Sequence, residues 1–258
     1  MYLHVSSSIS NFKQKIERRF GLQWWNWYYP FGYTVFIGLY HPIDYLKFIW
    51  HRGGRGVFWC GGDIINLRNS WWKFIIPRVS ARHTCENEVE QNALKLMGIE
   101  AEIHPMLFDD PFQFHPCFKP PKGYTHVFLC AHEKREEEYG VDTVLKICYK
   151  LPRVIFHIYG INGRNKRNVF YHGKVSNSLF NKQIRNYHAC LRLNTWDGFG
   201  EGVAKSILLG QYPITTIPYP LIAHAPDENS LILHLKSLKH KTVSNPAEKY
   251  WRKVLCER

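Results

Sequence analysis

Short apolar runs alternate with segments of helical period along most of the chain. In the first half, TVFIGLY (34–40), GVFWC (56–60), ARHTC (81–85) and AEIHPM (101–106) are β-branched or aromatic runs of strand length. Between them, DYLKFIWHRG, NSWWKFIIPRV and NEVEQNALKLMG repeat their apolar positions at helical spacing, and the last closes at Gly98 as a C-terminal cap would. The alternation lapses over DDPFQFHPCFKPPKG (109–123), whose four prolines and closing glycine predict a linker. It then resumes with HVFLCA (126–131), a helix around VDTVLKICYKL (141–151), VIFHIYG (154–160), NVFYHG (168–173) and a helix around SLFNKQIRNYH (178–188). ACLRLN (189–194), a helix from Glu201 to Gly210, YPITTI and a terminal helix in SNPAEKYWRKVLCE (244–257) complete the pattern. Strands alternating with helices predict an α/β fold with mainly parallel sheets. The expected division is a Rossmann-like domain over 1–110, a Pro-rich linker over 111–123 and a second Rossmann-like domain over 124–258.

Composition narrows the class. The chain has 258 residues, 45% of them apolar, and its apolar runs are far shorter than the ~20 residues a transmembrane helix needs. The first residues, MYLHVSSSIS, have no basic start followed by an apolar stretch, so no signal peptide is expected. Seven scattered cysteines without a C-x-x-C pair suggest reduced thiols rather than a disulfide framework or a zinc knuckle, and with them a cytoplasmic protein. The formal charge is +13, and residues 1–84 hold 11 Lys and Arg against 3 Asp and Glu, together with seven of the nine tryptophans. WWNWYYPFGY (24–33) is the densest patch. Cations interleaved with aromatic rings suit a surface that meets phosphates, stacks on bases or sugars, or sits at a lipid headgroup layer. The same rings would equally serve as core material of a small domain.

Chemistry concentrates in LNTWDGFGEGVAKSILLGQYPITT (193–216). In a parallel α/β sheet, ligands bind at the carboxyl ends of strands, where glycines let the backbone approach a phosphate and the next helix offers free N–H groups. Asp197, Gly198, Phe199, Gly200 and Glu201 lie at such a junction, and Lys205 follows one turn into the helix. Capping explains one acid there but not the spaced glycines. The pattern is neither a P-loop nor a dinucleotide fingerprint, which sets aside NTPase and dehydrogenase readings. No G-x-S-x-G elbow is present. The 14 histidines show no metal-ligand spacing, and no metal site is expected. His51, His126, His157 and His188 read as structural.

These residues resemble the E-G-F-G-x-x-x-x-E-A-x-x-x-G-x-P-V-I segment of retaining glycosyltransferases of the GT-B fold, the glycogen-synthase-like, family-4-type group. EYGVDTVLKICYKLPRVIFHIYG (138–160) and NVFYHGKVSN (168–177) are similar to other donor-domain segments of that group. VFWCGGDI (57–64) and HTCENEVEQNALKLMGIEAEIHPMLFDD (83–110) resemble segments of its first domain. The likeness runs over roughly 34–217 and rests on the order of the segments. It implies two Rossmann-like domains with a cleft between them, here with a reduced N-terminal domain. It also implies a nucleotide-sugar donor, UDP- or GDP-linked, and no other cofactor or metal.

Residue by residue, the resemblance assigns the 198–201 backbone to the donor phosphates and Asp197 to the first acidic position, near the sugar hydroxyls. The second acidic position is Lys205, with Glu201 as a substitute for the ribose contact. The Arg and Lys that neutralise the leaving diphosphate fall on Lys134, beside Arg135, and on Tyr139, so Lys205 is expected to supply the missing charge. Gly160, His172 and Gly173 match donor-side segments. Gly61, Gly62 and Asp63 match the acceptor-side loop, with Cys60 where the group has a histidine. The activity implied is transfer of a sugar, with retention, to an acceptor hydroxyl. A lipid-linked or surface glycan on an enzyme peripheral to the membrane and a hydroxymethylated DNA base are both open acceptors. A non-catalytic module binding sugar nucleotide, glycan or nucleic acid is the alternative that the departures at Lys205, Tyr139 and Cys60 raise.

Overall fold

The computed structural model describes residues 1–21, 23–24 and 31–256; the aromatic stretch expected to form a binding surface at 24–33 therefore lies, at 25–30, outside the described residues. The chain divides into two compact units, Met1–Asp110 with Trp196–Phe199, and Pro111–Thr195 with Gly200–Arg258.

Among the described residues, the first unit is built on strands β1 (Tyr2–Val5), β2 (Gln23–Trp24), β3 (Thr34–Ile37), β4 (Arg55–Phe58), β5 (Arg82–Cys85) and β6 (Ala101–Ile103). They pair in parallel in the order β2-β1-β3-β4-β5-β6. Helices α1 (Lys13–Phe20), α2 (Pro42–Trp50), α3 (Gly62–Arg68) and α4 (Glu88–Leu96) connect them. β3 and β4 read as nearly unbroken apolar runs because both faces of a parallel sheet are covered. Phe36, Val57 and Trp59 pack with Phe48, Ile64, Leu67 and Leu94 on one side, and Leu3, Ile16, Ile37 and Phe58 form a second cluster.

Local chemistry fixes the helix starts. Pro42 opens α2, where its missing N–H costs nothing, and the Asp44 carboxylate accepts from the His41 N–H and the Ser6 hydroxyl and pairs with His4 at 2.8 Å. Asn87 caps α4 by accepting from the Glu90 N–H. The helix expected over NSWWKFIIPRV is instead two 3₁₀ turns, Trp71–Phe74 and Ile76–Arg78. Pro77 cannot continue an α-helical hydrogen-bond ladder, and the segment breaks before it. β1 and α3 are elements that the periodicity did not predict.

The second unit carries β7 (Thr125–Cys130), β8 (Val154–Tyr159), β9 (Val169–Gly173), β10 (Ala189–Arg192), β11 (Ile214–Thr215) and β12 (Ala223–His224), all parallel, in the order β12-β11-β10-β7-β8-β9. This is the doubly wound order, with its switch point between β7 and β10, where successive crossovers leave in opposite directions. Helices α5 (Val141–Ile147), α6 (Asn177–Ile184), α7 (Glu201–Leu208), α8 (Glu228–Ser237) and α9 (Glu248–Cys256) complete it. The Pro-rich 111–123 segment is part of this unit rather than a free linker. Phe114 and Phe118 are buried, and the Arg252 guanidinium of α9 donates to the carbonyls of Phe114 (2.8 Å) and Leu208 (3.0 Å). The segment opens on a 3₁₀ turn, Pro111–Gln113, and its two phenylalanines anchor it.

Candidate functional site

In the first unit, the loops after β4 and β5 gather carboxylates around the segment Trp196–Phe199. Asp63, at the start of α3, is fully buried. Its Oδ1 accepts from the Cys60 and Ile64 N–H groups and its Oδ2 from that of Leu39. Burial outweighs those bonds and pushes its pKa up to about 6. The expected cleft residue is thus a carboxylate spent on pinning three loop amides. Glu90 is also buried, accepts the Glu86 N–H at 2.8 Å, and keeps its Oε1 without a hydrogen-bond partner among the described residues. Desolvation, then the negative charge of Glu86, raise its pKa well above its ordinary value.

Glu86 binds the loop itself. Its Oε2 accepts from the Phe199 N–H at 3.1 Å and its Oε1 from the Met106 N–H at 3.2 Å. Asn87 Nδ2 donates to the Asp197 carbonyl at 2.8 Å, Trp196 Nε1 donates to the Gly61 carbonyl at 3.1 Å, and the Gly198 N–H donates to its own neighbour's Asp197 Oδ1. A Cβ at Gly198 would stand 1.7 Å from Glu86 Oε2, which explains the glycine by close approach. The structure brings Gly61, Asp63, Asp197, Gly198 and Phe199 together. It also shows that the Gly198 and Phe199 amides, expected to meet donor phosphates, donate to carboxylates here. Phe199 is buried, and Gly62 packs beside the Tyr40 ring.

In the second unit the carboxyl ends of β7 and β10 meet at the switch point. Arg192, the last residue of β10, is the residue that the sequence reading passed over. Its Cζ lies 5.3 Å over the Tyr139 ring, and Arg135 Cζ lies 5.5 Å over the same ring. Gly200, with φ 75°, immediately precedes α7, and a Cβ there would meet Arg192 Nε and Cζ at 3.1 Å. Arg192 and Lys205 both pull down the Cys130 pKa, though burial still leaves it raised, at about 11. The strand-end arginine was legible as a lone cation inside ACLRLN; its convergence on Tyr139 is a long-range contact that no spacing reveals.

The other expected donor-side residues scatter around this point. Arg135 is exposed and ion-paired with Glu138 at 2.5 Å, while Lys134 is exposed and adopts φ 67°. The Gly160 N–H donates to the Gly173 carbonyl at 2.8 Å, holding the ends of β8 and β9 together. His172 does not stand alone as a ligand. Its Nε2 is 2.9 Å from His157 Nδ1, His157 Nε2 is 3.0 Å from His126 Nδ1, and the His172 ring stacks on Tyr159 at 4.5 Å. Lys205 is buried; its Nζ lies 3.4 Å from Glu201 Oε2 and 3.2 Å from Asn181 Oδ1, with the Phe114 and Phe180 rings each at 5.6 Å. The expected phosphate cation is therefore engaged inside the unit, with Glu201, Asn181 and two phenylalanine rings around it. Among the described residues no group of three or more His, Cys, Asp or Glu is arranged to hold a metal ion.

No protein-family model matches the chain, and no curated protein matches it in sequence. Solved structures do. An S. aureus TarM variant bound to UDP and α-GlcNAc-glycerol is 12% identical, with a TM-score of 0.56 over 86% of this chain and 51% of its own. The lipopolysaccharide outer core galactosyltransferase WaaB is 14% identical, with a TM-score of 0.59 over 86% of this chain and 70% of its own. Sucrose-phosphate synthase from Thermosynechococcus elongatus is 11% identical, with a TM-score of 0.63 over 96% of this chain and 72% of its own. The chain spans about half the length of TarM. Two all-parallel, helix-covered sheets in these strand orders, matched to these structures, give the chain the GT-B fold of nucleotide-sugar glycosyltransferases.

Proposed function

We propose that the chain is a glycosyltransferase that moves a sugar from a nucleoside-diphosphate sugar to an acceptor hydroxyl, with retention at the anomeric carbon. The observation that carries this reading is the switch point of the second unit. Arg192 and Arg135 gather at Tyr139 beside Gly200 there, in a fold whose solved relatives include one bound to UDP. As the bond from the sugar to the diphosphate breaks, negative charge builds on the leaving phosphate. Preplaced guanidinium groups stabilise that charge more than they stabilise the intact donor, which is the condition for catalysis. In this reading Arg192 and Arg135 do the work of the absent lysine at Tyr139, with no metal or other cofactor required. Gly160, His172 and Gly173, at the carboxyl ends of β8 and β9, flank the nucleoside, and Asp197 serves the sugar hydroxyls. The acceptor we favour is a glycan, as with the galactosyltransferase WaaB; a modified DNA base is the competing acceptor.

One observation favours a second reading, the non-catalytic binding module: Glu86 and Asp197 already hold the amides of the glycine loop. The test for both is a thermal-shift panel of UDP-, GDP- and ADP-sugars followed by a donor-hydrolysis assay. A bound donor stabilises the native state by about 2.7 kcal/mol at a hundredfold excess over Kd. A shift with slow release of free sugar is the expected result. A shift without any turnover supports the module, and no shift with any nucleotide sugar overturns the donor reading.

A further inference from the structure

The β9 edge of the second unit carries cations that the surrounding fold does not neutralise. From Thr143 to Trp196 the chain has no Asp or Glu, and these residues supply most of α5 together with β8, β9, α6 and β10. Placement decides which of their cations share a surface. Helix α5 sends Val141, Val144 and Ile147 into the core cluster on one face of the sheet, and Tyr171 of β9 packs against the same cluster. The loop between β8 and β9 runs along this side. A Cβ at Gly163 would stand 2.5 Å from Tyr171 Cε1, and Asn165 Oδ1 accepts the Tyr171 N–H at 2.8 Å. The far end of the loop is tied to the turn after α5: Nδ2 of buried Asn168 donates to the carbonyls of Cys148, Leu151 and Val154 at 2.9, 3.1 and 3.0 Å.

These ties make one seam. Arg164, Lys166 and Arg167 ride on the loop, and Lys166 Nζ lies 6.0 Å over the ring of Tyr149, which the 3₁₀ turn Cys148–Lys150 holds 76% exposed. Lys150 ends that turn and Arg153 leads into β8, both exposed like the three loop cations. Two acids approach them. Glu228 of α8 pairs with Lys150 at 2.5 Å, and Asp142, in the first turn of α5, acts on Tyr171, whose pKa is raised by burial and then by that charge. Arg153, Arg164, Lys166 and Arg167 have no ion pair among the described residues.

We infer that this seam binds single-stranded nucleic acid. Cations along a loop anchored at both ends meet successive phosphates, and the open ring of Tyr149 gives an unpaired base a surface to stack on. A duplex keeps its bases stacked inside and leaves Tyr149 without that partner. A bilayer would find no aliphatic side chain among the seam residues to bury. The Arg153 carbonyl accepts the Thr125 N–H, so the seam reaches the amino ends of β7 and β8, whereas Arg192 closes β10 at its carboxyl end. The strand is therefore a second ligand of the unit, independent of the nucleotide-sugar reading and not in competition with it.

The test titrates the full chain into a labelled oligothymidylate of about 12 nucleotides and reads fluorescence anisotropy at low and high salt. The expected result is binding that weakens steeply with salt and is tighter for the single strand than for a duplex of equal length. Lys166→Gln/Arg167→Gln should lose about tenfold or more in affinity, and Tyr149→Ala about fivefold or more. The substituted side chains are exposed, so melting temperatures stay at the wild-type value; should the double variant fold poorly, Lys166→Gln and Arg167→Gln singly make the same measurement. UDP affinity, read separately by calorimetry, stays unchanged in every seam variant, which keeps a failure of this inference distinct from a failure of the donor reading. Wild-type protein that leaves the oligonucleotide free at low salt overturns the inference, and so does undiminished binding by Lys166→Gln/Arg167→Gln. Equal binding of duplex and single strand, unaltered in Tyr149→Ala, reduces the seam to general polyanion attraction and overturns it as well. Sedimentation with phosphatidylglycerol vesicles in place of oligonucleotide binding, lost in the seam variants, assigns the face to a bilayer and overturns it equally.

Discussion

Lys205 and Arg192 sit in surroundings that the sequence alone does not reveal. An ammonium group one turn into a glycine-led helix invites a phosphate, but Lys205 is buried against Phe114 and Phe180 and paired with Glu201 and Asn181. Removing one member of such a pair leaves a poorly solvated charge behind and costs about 3–5 kcal/mol for a fully buried pair, less here because Glu201 is partly exposed. Lys205→Met is therefore expected to lower stability by about 2–4 kcal/mol in urea unfolding, while the folded protein keeps its UDP affinity within about twofold. Arg192→Met is expected to do the reverse. UDP affinity falls by about tenfold or more, uridine affinity holds, and Arg192→Lys recovers part of the loss, since a guanidinium grips a diphosphate better than a point charge does. Equal UDP affinity in Arg192→Met and wild type, measured by calorimetry, would remove Arg192 from the donor site.

At the scale of elements, regular structure followed periodicity and the site did not. Strands such as β3, β4, β7 and β8 were legible because long β-branched runs have few alternatives. β1, with only Tyr2–Val5 and a histidine in the run, was hidden by its shortness, and α3 by the two glycines that open it. The 71–78 segment misled because its apolar spacing is helical while Pro77 is not. The glycine loop was visible as a motif, yet its partners, Glu86 and Asn87, lie more than a hundred residues away and read only as the start of a helix. That partnership makes a sharp prediction. Gly198→Ala places a Cβ 1.7 Å from Glu86 Oε2, so the carboxylate must leave and the Phe199 and Met106 amides lose their acceptor. Each orphaned amide costs about 1–3 kcal/mol where it is buried. The clash exists only with Glu86 present, so a double-mutant cycle should show Gly198→Ala costing much less in a Glu86→Ala background. Additive losses in denaturant unfolding would mean that the loop is held by something other than Glu86.

Over the whole molecule, the two units differ in their balance of buried titratable groups, and acid should separate them. In the second unit the ladder His126–His157–His172, with His188 donating no proton to but accepting from the His126 N–H, is held neutral by desolvation. His157 is lowered to about 3 and His188 to about 4, and His126 and His172 are lowered too. An unfolded histidine takes its proton near pH 6.5. Between that value and the folded pKa the unfolded chain binds more protons, so stability falls as pH drops from about 6.5 toward 4. His157 alone is worth about 2–3 kcal/mol by pH 4.5 at 1.36 kcal/mol per pKa unit. In the first unit His83, lowered to about 4, acts in the same direction, as do His51 and Asp44, both lowered. Asp63, raised to about 6, and Glu90, also raised, act against it, because the folded carboxyls hold protons that the unfolded ones release above about pH 4. The first unit's terms offset one another; the second unit's all point one way. Calorimetry at pH 7.5 and 4.5, with transitions assigned by limited proteolysis, should show the second unit melting first in acid and His157→Gln flattening its pH dependence. A second-unit transition equally acid-sensitive in His157→Gln and wild type would show that the histidine ladder does not set it.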